Sequence, residues 1–343
     1  MKRDIGIDLG ASRISVFASG QGVIFHTPAL LARSRINGEI LGFGNNAGML
    51  LERTPGNVKP DYPLYQGIAV QYDAIRDLLS YVMDEVFQGK NTRPRLVLTV
   101  SASLTEHEEK SYIDAALEAG AKEVYLIQKS VAAALGAGVD IAGSTASLVI
   151  DLGAARTEVA AIALGGAVQS KSIPIGGRKM DEAIQAYVGE KYGAEISLLD
   201  AEALKLQSGT VWINDSSKTS AFVPCIMRGM GVPQTVTVTP DDIAEAIAER
   251  VDTLSAQIST AIARIPEELL NDVRQSKMYL TGGMALLNGM DQVIMDAVGI
   301  PARVAADARD CTVRGLGEAL QILDRMDTDI AKVFRMQRPE NKD

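Results

Sequence analysis

The chain has little of the chemistry on which many enzymes and secreted proteins depend. Its 343 residues include two cysteines, Cys225 and Cys311, and two histidines. The cysteines lie far apart and have no CxxC partner, which argues against a disulfide framework or a zinc site and fits a reducing compartment. With only His26 and His107 present, histidine-based catalysis has few candidates.

Excess positive charge and long apolar runs are also missing. The formal net charge is −9, which argues against a nucleic-acid-binding protein because such a protein needs a basic face. The most apolar stretch, residues 131–150, contains Asp140, three glycines and several Ser/Thr residues. It therefore indicates a helix, a loop and a strand instead of a membrane span. The first residues do not match a signal peptide, and we expect a cytoplasmic protein.

What the sequence does contain is a turn that occurs twice. Residues 5–16 are IGIDLGASRISV and residues 148–159 are LVIDLGAARTEV. Each copy is an apolar β-type run that ends at an aspartate, Asp8 or Asp151, then a Gly/Ala turn and a second β-type run. The backbone N–H groups of such a turn can form a concavity for phosphate oxygens. Two ordinary hairpins that share DLGA by chance are the alternative.

We predict that the two turns form a duplicated phosphate clamp. Such a clamp would hold a nucleotide and its Mg²⁺ between two halves of the chain, since Mg²⁺ prefers one or two carboxylates together with phosphate oxygens and water. Alternating strand and helix patterns predict an α/β architecture in these two related halves.

The predicted first domain covers residues 1–140, with a small subdomain at about 30–66. The second covers residues 141–311, with a small subdomain at about 179–240. We expect the final helix, at about 312–325, to pack back on the first domain, and residues 326–343 to form a polar tail.

Further segments, taken in order, resemble one family. They are RTPGN, VYLI followed by AAALGAG, SKSIPIGGRKMDEAI followed by KYG, and LTGGMALLNGMD. With the two DxG turns they resemble the actin/Hsp70/sugar-kinase superfamily and, within it, the MreB family of bacterial rod-shape actin homologues. The resemblance implies an actin-like ATPase fold with ATP or ADP and Mg²⁺ between two domains. It also implies head-to-tail filaments that control cell shape at the inner face of the cell membrane, with other MreB paralogues and cell-elongation membrane proteins as partners and no nucleic acid.

The resemblance also implies individual contacts. The first phosphate loop would be Asp8, Leu9, Gly10, Ala11, Ser12 and Arg13, and the second Asp151, Gly153, Ala154, Ala155, Arg156 and Thr157. The adenosine side would be contacted by Glu202, Ala203, Leu204 and Lys205, and by Gly282, Gly283, Met284 and Ala285. Asp8 and Asp151 would hold Mg²⁺ through water.

The chain departs from the family's pattern at three places. The family's second loop reads D-[IL]-G-G-G-T-T, whereas this chain has Ala154, Ala155 and Arg156. An alanine held at positive φ costs free energy or reshapes the loop, while an arginine offers a charged fork for phosphate. Lys129 stands at the family's catalytic Glu position, and a protonated lysine cannot accept the proton of an attacking water. The family's D-F-D becomes residues 71–73, QYD. We therefore expect slow or absent hydrolysis.

Alternatives to these assignments are a solvated, helix-starting Lys129 and an Arg156 that pairs with Glu158 or another surface acid. For the whole protein, the alternatives are a sugar kinase or Hsp70-like chaperone of the same superfamily and a scaffold that binds no nucleotide. A kinase needs a catalytic Asp that faces a sugar hydroxyl, and the chain shows no convincing acceptor-site signature. For a membrane contact, Phe87 beside the basic loop 89–93 either enters a headgroup layer or belongs to the core.

Overall fold

A computed structural model describes residues 4–54, 56–65, 68–69, 72–90, 92–229, 231–275, 278–325 and 335–337. The strands are β1 (Ile5–Leu9), β2 (Arg13–Ala18), β3 (Gly22–Pro28), β4 (Leu31–Ser34), β5 (Ile40–Phe43), β6 (Val58–Asp61), β7 (Leu64–Tyr65), β8 (Ile68–Ala69), β9 (Arg95–Val100), β10 (Glu123–Gln128), β11 (Ser147–Leu152), β12 (Thr157–Ala163), β13 (Gly166–Ile173), β14 (Ala194–Glu195), β15 (Ala221–Met227), β16 (Pro233–Val238), β17 (Met278–Thr281), β18 (Ala302–Val304) and β19 (Arg335–Gln337). The α-helices are α1 (Gly44–Arg53), α2 (Tyr72–Phe87), α3 (Glu106–Glu118), α4 (Lys129–Gly136), α5 (Gly177–Tyr192), α6 (Leu198–Ser208), α7 (Pro240–Ile262), α8 (Glu267–Gln275), α9 (Met290–Val298) and α10 (Cys311–Arg325). Gly283–Leu286 form a 3₁₀ turn.

Two sheets repeat one topology. In the first, with strand order β19-β10-β9-β1-β2-β3, β1 to β3 form an antiparallel meander, and β9 and β10 continue the sheet parallel to β1. In the second, with order β13-β12-β11-β17-β18, β11 to β13 form the meander and β17 and β18 run parallel to β11. The two DLGA turns connect β1 to β2 and β11 to β12. The predicted α/β fold with two related halves is therefore confirmed.

Smaller sheets accompany each half. Strands β4, β5 and β6 form one three-stranded sheet, against which α1 packs. Strands β14, β15 and β16 form another, which packs with α5 and α6. The strands of these two sheets lie at residues 31–61 and 194–238, and α5 begins at Gly177.

Helices α4 and α10 lie between the two large sheets. The buried cluster around them includes Val97 of β9 and Ile127 of β10 from the first sheet, and Val149 of β11 from the second. Helix α10 also packs on β1, where Leu316 lies over Gly6. The interior of the molecule thus continues from one half to the other through these two helices. Among the described residues, no helix is long and apolar enough to cross a membrane.

Part of the segment predicted as a polar tail forms a strand. Arg335–Gln337 form β19, which pairs antiparallel with β10 between Val124 and Leu126. Residues 326–334 and 338–343 of that predicted tail lie outside the described residues. The polar composition of the segment did not indicate this strand, because an edge strand is held by main-chain hydrogen bonds, which depend little on side-chain identity.

Candidate functional site

The two DLGA turns have the same local packing. A Cβ atom added to Gly10 would lie 2.4 Å from the carbonyl oxygen of Arg13, and one added to Gly153 would lie 2.8 Å from that of Arg156. The N–H of Gly153 donates to this same oxygen of Arg156 at 3.0 Å. Each turn therefore requires glycine because its own backbone approaches closely.

A threonine on the neighbouring parallel strand holds each turn aspartate. The hydroxyl of Thr99, on β9, donates to Asp8 at 2.8 Å, and that of Thr281, on β17, donates to Asp151 at 3.0 Å. Both aspartates are buried. Neither threonine was predicted from the sequence. Their only signal was a position near the carboxyl end of a strand, where parallel strands bring their functional groups to one edge of the sheet.

A cavity of about 680 Å³ lies between the two turns. Six basic and four acidic side chains contribute to its lining, although the chain as a whole carries a net charge of −9. This volume is in the range of small-molecule and cofactor sites. The local excess of basic groups favours an anionic ligand.

Side chains from the two halves meet across this cavity. Ser12 donates a hydrogen bond to Glu202 at 3.4 Å, and Arg178 donates to the carbonyl oxygen of Ala11 at 3.0 Å. The Arg178 guanidinium also stacks 4.0 Å from the ring centroid of Tyr62. Arg178 was not predicted from the sequence. The glycine pair at residues 176–177 indicated that a helix begins there, but it did not indicate that Arg178 contacts the other half of the chain.

The start of α5 is tied to the second turn and to a buried ion pair. The N–H of Gly177 donates to Gly153 O at 3.0 Å. Lys205, on α6, donates to Gly177 O at 3.0 Å and pairs with Asp181 at 2.6 Å. Burial raises the pKa of Asp181 to about 6, although Lys205 beside it opposes the shift.

Most of the predicted contact residues line the large cavity. They are Asp8, Gly10, Ala11, Ser12, Arg13, Lys129, Asp151, Gly153, Ala154, Glu202, Lys205, Gly282, Gly283 and Met284. Leu9, Ala155 and Arg156 line a smaller cavity of about 40 Å³, to which Lys129 and Asp151 also contribute.

Four other predicted residues do not line either cavity. Ala203 is exposed, and Leu204 and Ala285 are buried in the hydrophobic core of the second half. Thr157 is buried and donates to Ile175 O at 2.9 Å.

The substitutions in the second turn do not strain its backbone. Neither Ala154 nor Ala155 has a positive φ, so the penalty considered for alanine at these positions does not arise. Arg156 donates through Nε to the hydroxyl of Ser172 at 2.6 Å, and Ser172 donates to Glu158 at 2.9 Å. Ser172 thus links Arg156 to Glu158 by two hydrogen bonds.

The Lys129 ammonium lies between the two turn aspartates. Its Nζ is 3.6 Å from Asp8 Oδ1 and 3.9 Å from Asp151 Oδ2, and its side chain is only 23% exposed. The alternative of a solvated helix-start lysine is therefore wrong. Burial by itself lowers the pKa of Lys129, but Asp8, Asp151 and Glu158 outweigh burial and raise it. The lysine is consequently a cation at neutral pH.

This arrangement does not fit the Mg²⁺ ion predicted at Asp8 and Asp151. A threonine hydroxyl binds one oxygen of each aspartate, and the Lys129 ammonium faces both carboxylates. Mg²⁺ requires oxygen ligands at about 2.0–2.1 Å in octahedral geometry, whereas a protonated lysine offers no acceptor and repels a second cation. Within the described ranges, no group of three or more His, Cys, Asp or Glu side chains could hold a metal ion.

The third departure from the family's pattern, at residues 71–73, falls only partly within the described residues. Gln71 is outside the described residues, and Asp73 lies in the first turn of α2. There, Asp73 forms an ion pair with Arg76 at 3.0 Å.

Comparisons with known proteins agree with this architecture. Residues 2–328 match the family model described as MreB/Mbl protein. The chain is 34% identical over 337 residues to the cell shape-determining protein MreB of Escherichia coli K12, covering 95% of this chain and 96% of that protein. It is 31% identical over 325 residues to the cell shape-determining protein Mbl of Bacillus subtilis, covering 94% and 97% of the two chains.

Solved structures show the same fold. A crystal structure of MreB5 of Spiroplasma citri bound to ADP matches with a TM-score of 0.86 and 25% identity, covering 95% of this chain and 99% of that one. The MamK double helical filament matches with a TM-score of 0.76 and 18% identity, covering 94% and 99%. The predicted actin-like fold is confirmed.

Proposed function

Because the chain belongs to the MreB/Mbl family, we propose that it is an actin-like cytoskeletal protein that binds an adenine nucleotide and assembles into filaments that control cell shape. The observation that carries this proposal is the pair of matching turns at one cavity. Residues 1–140 and 141–311 form the two domains that supply one turn each.

The phosphate chain of ATP or ADP lies between the two turns in this proposal. The first turn, residues 10–13, and the second, residues 153–154, line the cavity, and glycine at both turns lets the ligand approach closely. The adenosine lies against Gly282–Met284, with Glu202 and Lys205 on another wall. The cavity volume of about 680 Å³ and the ADP bound to MreB5 of Spiroplasma citri support this assignment.

Hydrolysis of the nucleotide is slow or lost. Lys129 stands where the resemblance implies the catalytic glutamate, and its pKa is raised by the surrounding carboxylates. A cationic ammonium cannot take the proton of an attacking water. The protein therefore acts as a regulatory or co-assembling member of the family instead of a rapid ATPase.

Filaments form by head-to-tail contact between copies of the chain. Such a contact uses two different surfaces and does not close into a ring unless the rotation allows it. The fold shared with the MamK filament supports this assembly. Other MreB paralogues and cell-elongation membrane proteins are the expected partners.

A cytoplasmic location at the inner membrane face rests on the family resemblance. Phe87, considered as a membrane contact, is partly buried and packs against the core of the first half. It therefore lends the membrane location no support, and a different element would have to make the contact.

Nucleotide binding is tested by filling the cavity. Gly283 lines it, and an added Cβ atom would meet nothing within 4 Å, so Gly283→Phe places a ring in the cavity without a clash at its base. We expect titration calorimetry to show ATP binding to the wild type and at least about tenfold weaker binding to this variant.

The control is Ala256→Phe, which adds the same ring at an exposed position of α7. It should bind ATP like the wild type, and thermal unfolding checks that both variants fold. Equal ATP affinity in Gly283→Phe and the wild type would contradict the assignment of the cavity. A wild type that binds no ATP would favour a nucleotide-independent scaffold.

A further inference from the structure

We infer that Lys129 is a built-in counter-ion that takes the place of Mg²⁺ between the two phosphate turns, so that the nucleotide binds as the metal-free anion. The nucleotide part of this inference rests on the proposed function. The role of Lys129 as a counter-ion to Asp8 and Asp151 does not depend on bound nucleotide.

The Lys129 ammonium lies between the two turns. The Lys129 Nζ atom lies at similar distances from one oxygen of Asp8 and one of Asp151, 3.6 Å and 3.9 Å. These two carboxylates come from equivalent points of the two repeated turns. The ammonium therefore lies where a cation bound by both turns would lie, although Lys129 itself is part of neither turn.

The surroundings of the Lys129 ammonium are acidic. A third carboxylate, Glu158, is buried beside them and accepts hydrogen bonds from Ser101 at 2.6 Å and Ser172 at 2.9 Å. It lines the small cavity together with Lys129 and Asp151. Buried charges require a compensating partner. The Lys129 ammonium supplies positive charge beside these buried carboxylates.

The Lys129 ammonium retains the capacity for a further hydrogen bond. It has three N–H donors, and two carboxylates leave at least one for another acceptor. Lys129 lines the large cavity as well as the small one. A phosphate oxygen between the turns would therefore meet a fixed positive charge, which is the role that a metal ion has in other nucleotide sites.

A calorimetric titration with ATP, in excess Mg²⁺ and in EDTA, tests the inference. The wild type should bind at least as tightly in EDTA as in Mg²⁺. Lys129→Glu places a third carboxylate beside Asp8 and Asp151, and this variant should bind ATP at least about tenfold more weakly in EDTA than in Mg²⁺. Lys122→Glu makes the same charge change at an exposed side chain just before β10 and should behave like the wild type.

A wild type that loses at least about tenfold of its ATP affinity in EDTA would overturn the inference. That result would mean that the lysine moves aside for the metal ion.

Paramagnetic resonance of Mn²⁺ added to the nucleotide-free protein tests the counter-ion separately. We expect Lys129→Glu to bind one Mn²⁺ and the wild type to bind none at this site. Wild-type Mn²⁺ binding that disappears in Asp8→Asn would overturn the inference. A wild type that binds neither ATP nor Mn²⁺ would refute the proposed nucleotide function while leaving the counter-ion supported by the gain of Mn²⁺ in Lys129→Glu.

Discussion

The crossing of α4 and α10 leaves no room for a side chain at Gly315. A Cβ atom added there would lie 1.8 Å from the carbonyl oxygen of Ala132 and 2.8 Å from the backbone nitrogen of Gly136. Ordinary contacts of a Cβ atom begin at 3.4 Å, so the two helices would have to separate by about 1.5 Å, which forfeits much of their dispersion contact.

We expect Gly315→Ala to lower the free energy of unfolding by about 3 kcal/mol, at the upper end of the usual cost of overpacking. The cost is high because the obstructing atoms belong to the main chain and cannot rotate away. The midpoint of thermal unfolding should fall by roughly 4 °C. Since α4 begins at Lys129, displacement of this helix should also weaken ATP binding.

Urea denaturation followed by circular dichroism measures the change in stability. The control is Gly48→Ala in α1, where an added Cβ atom meets nothing within 4 Å. Alanine is a better helix former than glycine by about 0.5–1 kcal/mol, so this control should be as stable as the wild type or more stable. A loss below about 1 kcal/mol in Gly315→Ala, or the same change in both variants, would refute the reasoning.

Two further predictions concern pH. Burial raises the pKa of Asp242, but hydrogen bonds from Lys191, Tyr192 and Thr239 outweigh burial and lower it to about 2. Its stabilising contribution is present above its ordinary pKa and is lost as the pH falls through about 2, so Asp242→Asn should be less stable than the wild type at neutral pH, with a deficit that shrinks in acid. The pKa of Asp181 is raised to about 6. Just below that pH, the folded state therefore retains a proton on Asp181 that the unfolded state has released. Denaturation at several pH values should show the wild type losing stability relative to Asp181→Asn as the pH rises through about 6, and parallel curves would contradict this assignment.

The repeated turn could be predicted from the sequence because its requirements are local. Gly10 and Gly153 each permit a close approach of backbone three residues later, and the apolar runs around them are typical of strands. The aspartates at the strand ends followed directly from the same pattern. For these reasons the α/β class and the two turns that border the cavity could be predicted without the topology.

The missed features depend on tertiary arrangement. Thr99 and Thr281 reach the aspartates only because β9 and β17 take equivalent places beside β1 and β11. The Lys129 ammonium meets Asp151 only because α4 lies between the two sheets. Local spacing places this lysine at a helix start, and it carries no information about a carboxylate from the other half.

We expect a nucleotide held between the two turns to control assembly into filaments. High-speed sedimentation of the purified protein at micromolar concentration, with ATP, with ADP and without nucleotide, tests this claim most directly. We expect ATP to cause pelleting, in EDTA as well as in Mg²⁺, and Gly283→Phe to stay in the supernatant. Equal pelleting of the wild type in all nucleotide conditions, or no pelleting in any of them, would contradict it.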